Sequence, residues 1–141
     1  MSMSMSETQR QTFLADLHVG IISIPRQTRG PLTVPIWYDY TPGGVLWMIT
    51  GEKSIKGKLL ANASRISLCA QSETVPYQYV SVEGTFSTRP ATAAENLHMA
   101  IRYLGDKQGR AYARGAGEEG SLIVSLTPAT WYSVDYSLAQ H

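Results

Sequence analysis

Apolar positions recur along this chain with two different periods. Phe13, Leu14 and Leu17 repeat at helical spacing behind Ser6-Glu7-Thr8-Gln9, where Ser6 is a natural cap and Gln9 stands at the capping-box position. This predicts a first helix. From His18 to Ile24 the run is rich in β-branched residues and stops at Pro25, which predicts a strand. Gln27 to Pro31 is a turn, and Leu32 to Tyr40 (LTVPIWYDY) a second strand. Pro35 lies inside that strand and cannot donate to a ladder, so it marks an edge, a bulge or a missing bond. Thr41-Pro42-Gly43-Gly44 is a hairpin turn, and Val45 to Thr50 returns antiparallel.

Further on, Ile55 to Asn62 predicts a short helix and Ile66 to Ala70 a strand, followed by a loop from Gln71 to Pro76. Tyr77 to Ser87 (YQYVSVEGTFS) alternates, with Tyr77 and Tyr79 on one face and Gln78, Val80 and Val82 on the other; Gly84 marks a bulge. Ala91 to Leu104 is the clearest helix and ends at Gly105. Asp106 to Ala113 predicts another, Gly115 to Gly120 a flexible link. Ser121 to Leu126 and Trp131 to Tyr136 are the final strands, joined near Thr127-Pro128.

Six to seven short strands with hairpin connections make a mainly β, mostly antiparallel protein with two to four helices. A closed or split barrel manages the edges of such a sheet better than an open one. The length of 141 residues suits one domain, expected over 7–137, with a frayed leader over 1–6 and a tail over 138–141. A net charge of +1 with only 16% charged residues argues against disorder and against a basic face for nucleic acid. Cys69 stands alone, so no internal disulfide forms and a reducing, cytoplasmic setting is expected. No apolar run is long enough to cross a membrane, and the start has neither a basic nor an apolar region of a signal peptide.

The candidate chemistry sits after Thr50. The polar turn Gly51 to Lys58 carries Ser54, Lys56 and Lys58 between a strand and a helix start. A hydroxyl, two ammonium groups and free helix N–H groups suit a phosphate. The same residues suit a solvated helix face equally well. Trp37, Tyr38, Tyr40, Trp47, Tyr77 and Tyr79 form an aromatic excess divided between core, subunit contacts and a substrate slot. His18, His98 and His141 lack metal-ligand spacing, Cys69 reads as buried and inert, and no nucleophilic triad or Rossmann turn is present.

Thr50 to Leu60 (TGEKSIKGKLL) resembles the flavin-phosphate turn of the pyridoxamine 5′-phosphate oxidase-like family, through Thr50, Ser54, Lys56, Gly57 and Lys58. Pro31 to Trp37 resembles the family's cofactor-facing strand, and Tyr79 to Gly84 its central strand. Arg102-Tyr103-Leu104-Gly105 resembles a helix end of its deazaflavin-using branch; Leu126-Thr127-Pro128 and Trp131 complete the pattern. The resemblance implies a split β-barrel homodimer with two cofactor sites at the subunit interface. It implies that Val34, Pro35, Ile36, Trp37, Met48, Ile49 and Thr50 contact the ring of FMN or of coenzyme F420. Ser54, Lys56 and Lys58 then hold the phosphate, and Tyr79 is the candidate group near the ring. Ile55 replaces an arginine common in the turn, and no Arg or Lys occurs from Leu32 to Thr50 or from Trp131 to His141. Pyridoxamine phosphate is therefore disfavoured as substrate. Lys53, Arg65 and Arg102 are available to the longer anionic tail of F420, which is preferred to FMN. The implied activity is hydride transfer to a small apolar or conjugated substrate. The alternatives are an FMN-dependent enzyme and a non-catalytic protein for a flavin, F420 or a haem-like ligand.

Overall fold

The computed structural model describes residues 2–116 and 120–139. Helix α1 (Glu7–Ala15) opens with the predicted capping box: Gln9 N donates to Ser6 Oγ and Ser6 N donates to Gln9 Oε1. Nine strands follow, β1 (Gly20–Ile24), β2 (Leu32–Ile36), β3 (Tyr38–Tyr40), β4 (Leu46–Gly51), β5 (Ile66–Gln71), β6 (Gln78–Gly84), β7 (Phe86–Pro90), β8 (Ser121–Leu126) and β9 (Thr130–Asp135). Between them lie α2 (Ile55–Leu60), α3 (Ala93–Leu104) and α4 (Asp106–Ala116).

The strands form two antiparallel sheets, ordered β2-β1-β5-β6-β9 and β3-β4-β8-β7. The architecture is a split barrel, one of the two closures the strand pattern allowed and the one the resemblance implied. The count exceeds six to seven because two long runs bend from one sheet into the other. Leu32 to Tyr40 breaks at Trp37, and Tyr77 to Ser87 breaks at Thr85. The β8–β9 connection crosses beside the second corner: Thr127 N donates to Thr85 O and Ala129 N to Glu83 O. A Cβ on Gly84 would lie 2.0 Å from Thr127 O, so glycine is required there for close backbone approach rather than for a bulge.

Strand alternation builds the core. Ile22, Ile24, Leu46, Met48, Ile66, Leu68, Val80, Val82 and Leu126 all point inward and are buried. Each contributes roughly 1.5–3 kcal/mol by leaving water. Helix α1 adds Phe13 and Leu14, and Leu14 O accepts a bond from the buried Tyr38 hydroxyl.

Within residues 2–6, Met3 and Met5 are bonded to β9. Asp135 N donates to Met3 O, Met5 N donates to Ser133 Oγ, and Met5 is buried in the core cluster. A polar sequence hid one apolar anchor. At the other end of the chain, α4 extends through Gly115 to Ala116, past the predicted stop at Ala113. Gly117 to Glu119, the middle of the predicted link, lie outside the described residues, as do Gln140 and His141.

Candidate functional site

The β2–β3 corner, the end of β4 and the face of α3 enclose an open cavity of about 460 Å³. That volume suits a small-molecule ligand. The corner supplies Pro35, Ile36 and Trp37; β4 supplies Ile49, Thr50 and Gly51. Val19 and Ser121 also line it, Asn96, Met99 and Ala100 come from α3, and Tyr112 from α4. Among the described residues no charged side chain lines it.

Local geometry decides which predicted residues reach this space. On β4 the alternation turns Met48 into the core, fully buried, and leaves Ile49 facing the cavity. On β2, Val34 packs against the core cluster and Pro35 faces outward. Of the expected ring contacts, Pro35, Ile36, Trp37, Ile49 and Thr50 line the cavity; Val34 and Met48 do not. Tyr79 stands elsewhere: β6 is three strands from β2, and its ring stacks on Tyr132 with centroids 5.9 Å apart.

The strand break at Trp37 leaves Tyr38 with backbone groups that need partners. Helix α3 provides them. Tyr38 N donates to the Tyr103 hydroxyl at 3.0 Å, and Arg102 Nε donates to Tyr38 O at 3.0 Å. The Tyr103 hydroxyl lies 2.6 Å from His18 O and 2.9 Å from Tyr38 O, and its single proton serves one of the two. Tyr103 then stacks on Trp37, with centroids 4.9 Å apart and planes 4° apart, while Tyr112 tilts against Trp37 at 5.6 Å. Burial pushes the Tyr103 phenol above its ordinary value, so it stays protonated as a donor. Arg102 also pairs with Asp39 at 3.4 Å and reaches Ala15 O and Asp16 O. The sequence offered it to an anionic tail; the structure instead engages it with Tyr38, Ala15, Asp16 and Asp39 in holding α3.

The basic turn begins where the cavity ends. Gly51 faces Ser121 across β4–β8, and Glu52 N donates to Gly120 O. Ser54 caps α2: its Oγ accepts from Gly57 N at 3.1 Å and donates to Gly51 O at 2.7 Å. Thr50 Oγ1 sits 3.3 Å from Ser54 Oγ. The Ser54 proton is therefore spent on the turn itself. Gly57 has a structural reason, because a Cβ there would lie 2.3 Å from Gly51 O and 2.5 Å from Glu52 O. The family-like spacing of Thr50, Ser54 and Gly57 thus describes how the turn folds. Lys56 is half-buried and Lys58 exposed, and neither forms an ion pair among the described residues.

The remaining candidates are accounted for by packing. His18 stacks on Phe13 with centroids 4.3 Å apart, its Nε2 3.1 Å from Phe13 O, and burial pushes its pKa below the ordinary value. His98 Nε2 lies 2.6 Å from Asp39 Oδ2, beside Trp47. Cys69 is half-buried, and burial raises its thiol pKa, which keeps it from being a ready thiolate. No group of three metal-ligating side chains exists among the described residues. No helix among them is long and apolar enough to cross a membrane.

Sequence reasoning missed Val19, Asn96, Met99, Ala100, Tyr112 and Ser121. Asn96, Met99, Ala100 and Tyr103 share one helical face, which the spacing displays; nothing local says which strand that face covers.

No protein-family model matches this sequence, and no curated protein matches it. Solved structures do match. A conserved hypothetical protein of Mycobacterium tuberculosis covers 100% of this chain, and 92% of that protein is covered, at 20% identity and a TM-score of 0.79. An F420 reductase is 20% identical over 86% of this chain and 94% of its own, with a TM-score of 0.74. An FAD- and haem-binding protein of Mycobacterium smegmatis is 17% identical over 94% of this chain and 71% of its own, with a TM-score of 0.67. At such identities the likeness concerns the fold, which is that of the pyridoxamine 5′-phosphate oxidase-like split barrels.

Proposed function

We propose that this chain is an oxidoreductase that holds a phosphorylated flavin-type cofactor, coenzyme F420 in preference to FMN, in the cavity beside the Gly51 to Lys58 turn. The observation that carries the reading is an aromatic-walled cavity, uncharged among the described residues, whose lining ends at Gly51, where the turn carrying Lys56 and Lys58 begins; among those residues neither lysine is paired. A planar ring and its phosphate ask for those two environments side by side. Trp37, Ile36 and Ile49 offer flat apolar surface to a ring, and Pro35 removes a ladder donor at the strand edge where it would lie. Lys56 and Lys58 meet the phosphate as point charges, with Ser54 shaping the turn rather than donating to the anion. The exposed Lys53 and Arg65 stand ready for a longer anionic tail, which favours F420.

Bound there, the cofactor supplies hydride transfer to or from a small apolar or conjugated substrate, and the protein supplies position and a water-poor wall. Among the described residues no carboxyl, imidazole, thiol or ammonium group lines the cavity, and the proton is assigned to solvent or substrate. The solved F420 reductase and the FAD- and haem-binding protein share the fold and supply the two ligand classes to compare. The reading extends to a homodimer. The outer face of the five-stranded sheet presents Ile21, Cys69, Ser81, Tyr79 and Tyr132 with little charge, and a second copy covering it would bury Tyr79. A soluble cytoplasmic enzyme accords with the unpaired cysteine.

The test is fluorescence titration of purified protein with F420 and with FMN, in the wild type and in Lys56→Ala/Lys58→Ala. F420 should bind more tightly, and the double variant should weaken both by about tenfold or more, the value of a charge-assisted contact. Absence of binding by either below about 1 mM overturns the reading.

A further inference from the structure

The cavity is polar at one end only. Gly51 and Ser121 face each other across β4–β8, and Ala91 N donates to Ser121 O. Thr92 follows and caps α3, and Asn96 lies one turn on, so Thr50, Ser121 and Asn96 gather at the end nearest the basic turn. Trp37 and Tyr112 stand together at the other end. Among the described residues the polar end carries neutral hydrogen-bonding groups and no charge.

Asn96 is oriented by its own helix. Its Nδ2 donates to Thr92 O at 3.1 Å, which fixes the amide so that Oδ1 points away from that carbonyl. Thr92 O can only accept, so the nitrogen must face it. Oδ1 accepts no bond from the described residues, and it is not buried. An acceptor held in one direction, in the wall of an open cavity, selects a ligand with a hydroxyl or N–H donor at that point.

We infer that Asn96 Oδ1 receives a hydroxyl of a neutral polyol chain, the segment joining a ring in the aromatic end to an anion at the Lys56–Lys58 turn. This rests on the cofactor reading and deepens it. A ribityl chain, common to FMN and F420, has this chemistry, and it must cross this end of the cavity when ring and phosphate occupy the other two sites. Asn96 thus sets specificity for the linker, the lysines for the anion, and Trp37 for the ring.

Paired ligands separate these roles. The wild type is titrated with isoalloxazine and with 8-hydroxy-5-deazaisoalloxazine, each bearing either ribityl or methyl at N10 and no phosphate. For at least one ring, the ribityl compound should bind about five- to tenfold more tightly than the methyl compound. Asn96→Leu, of similar size and without the acceptor, should erase that preference while leaving methyl-compound affinity and thermal midpoint unchanged. Asn96→Ala provides the same comparison if the leucine variant fails to fold. Equal binding of ribityl and methyl compounds by the wild type overturns the inference, as does a ribityl preference that survives in both variants, and in either case the cofactor reading stands. If no ring compound binds and FMN and F420 also fail, both are overturned together.

Discussion

The two ends of the cavity are built by opposite means. At the turn, the side-chain bonds that shape the structure are local, Ser54 to Gly51 and Gly57 and Thr50 to Ser54, all within four residues, and one backbone bond, Glu52 N to Gly120 O, ties the turn to the rest of the fold. At the aromatic wall the bonds are long-range, from Tyr103 to Tyr38 and His18 and from Arg102 to Ala15 and Asp16, spanning 64 residues or more. The turn holds its shape through backbone closeness, which glycine permits. The wall holds its shape by satisfying the backbone groups that a bent strand leaves open. One is a property of a segment and the other of a folded chain, so they should fail differently when changed.

The largest effect is expected where backbone meets backbone. Gly84→Ala places a Cβ against Thr127 O at the β6–β7 corner, and should cost at least about 2–3 kcal/mol in chemical denaturation, with loss of the folded state as the extreme outcome. Gly57→Ala strikes the turn in the same way, against Gly51 O and Glu52 O. It should destabilise the protein less, because α2 is short and peripheral, by about 1–3 kcal/mol. Binding of phosphate-bearing ligands should fall while binding of the phosphate-free ring compounds is kept. If Gly57→Ala lowered both alike, the turn and the wall would not be separable units.

Tyr103→Phe removes the hydroxyl that serves the corner and should cost about 1–3 kcal/mol, the range for leaving buried backbone groups unpaired. Its signature is a changed Trp37 emission, since the ring stacked on that indole loses its anchor. A variant with unchanged stability and emission would show that Arg102 alone holds the corner.

The smallest effect concerns pH. Burial holds the His18 pKa below its ordinary 6.5, so the unfolded chain binds the proton more readily than the folded one. Its contribution to stability is complete above pH 6.5 and is lost as pH falls from there through the folded-state value. Urea midpoints taken at about pH 8 and about pH 5 should differ less in His18→Gln than in the wild type. An identical difference in the two proteins would remove His18 from the account.

Much of the fold was legible. Strand alternation placed Val80 and Val82 inside and Tyr79 outside, and the caps at Ser6 and Gly105 stand where the residue types demand. What misled was continuity: Leu32 to Tyr40 and Tyr77 to Ser87 each alternate through a bend, because a strand changing sheets keeps its period while changing neighbours. The leader misled in the opposite direction. Its serines and methionines alternate, and only the bonds of Met3 and Met5 to β9 show Met5 to be core.

The candidate site divides along the same line. Composition and spacing determined that a strand ending in Thr50 runs into a tight basic turn, since glycine, serine and lysine act there through atoms a few residues apart. Tertiary structure decided that Ile49 rather than Met48 meets the cavity, that Arg102 is spent on Tyr38 and Asp39, that Tyr112 packs on Trp37, and that Asn96 lines the same cavity. Those placements depend on which face of α3 the bent β2–β3 strand needs. Distant backbone groups set that need, and no local pattern records it.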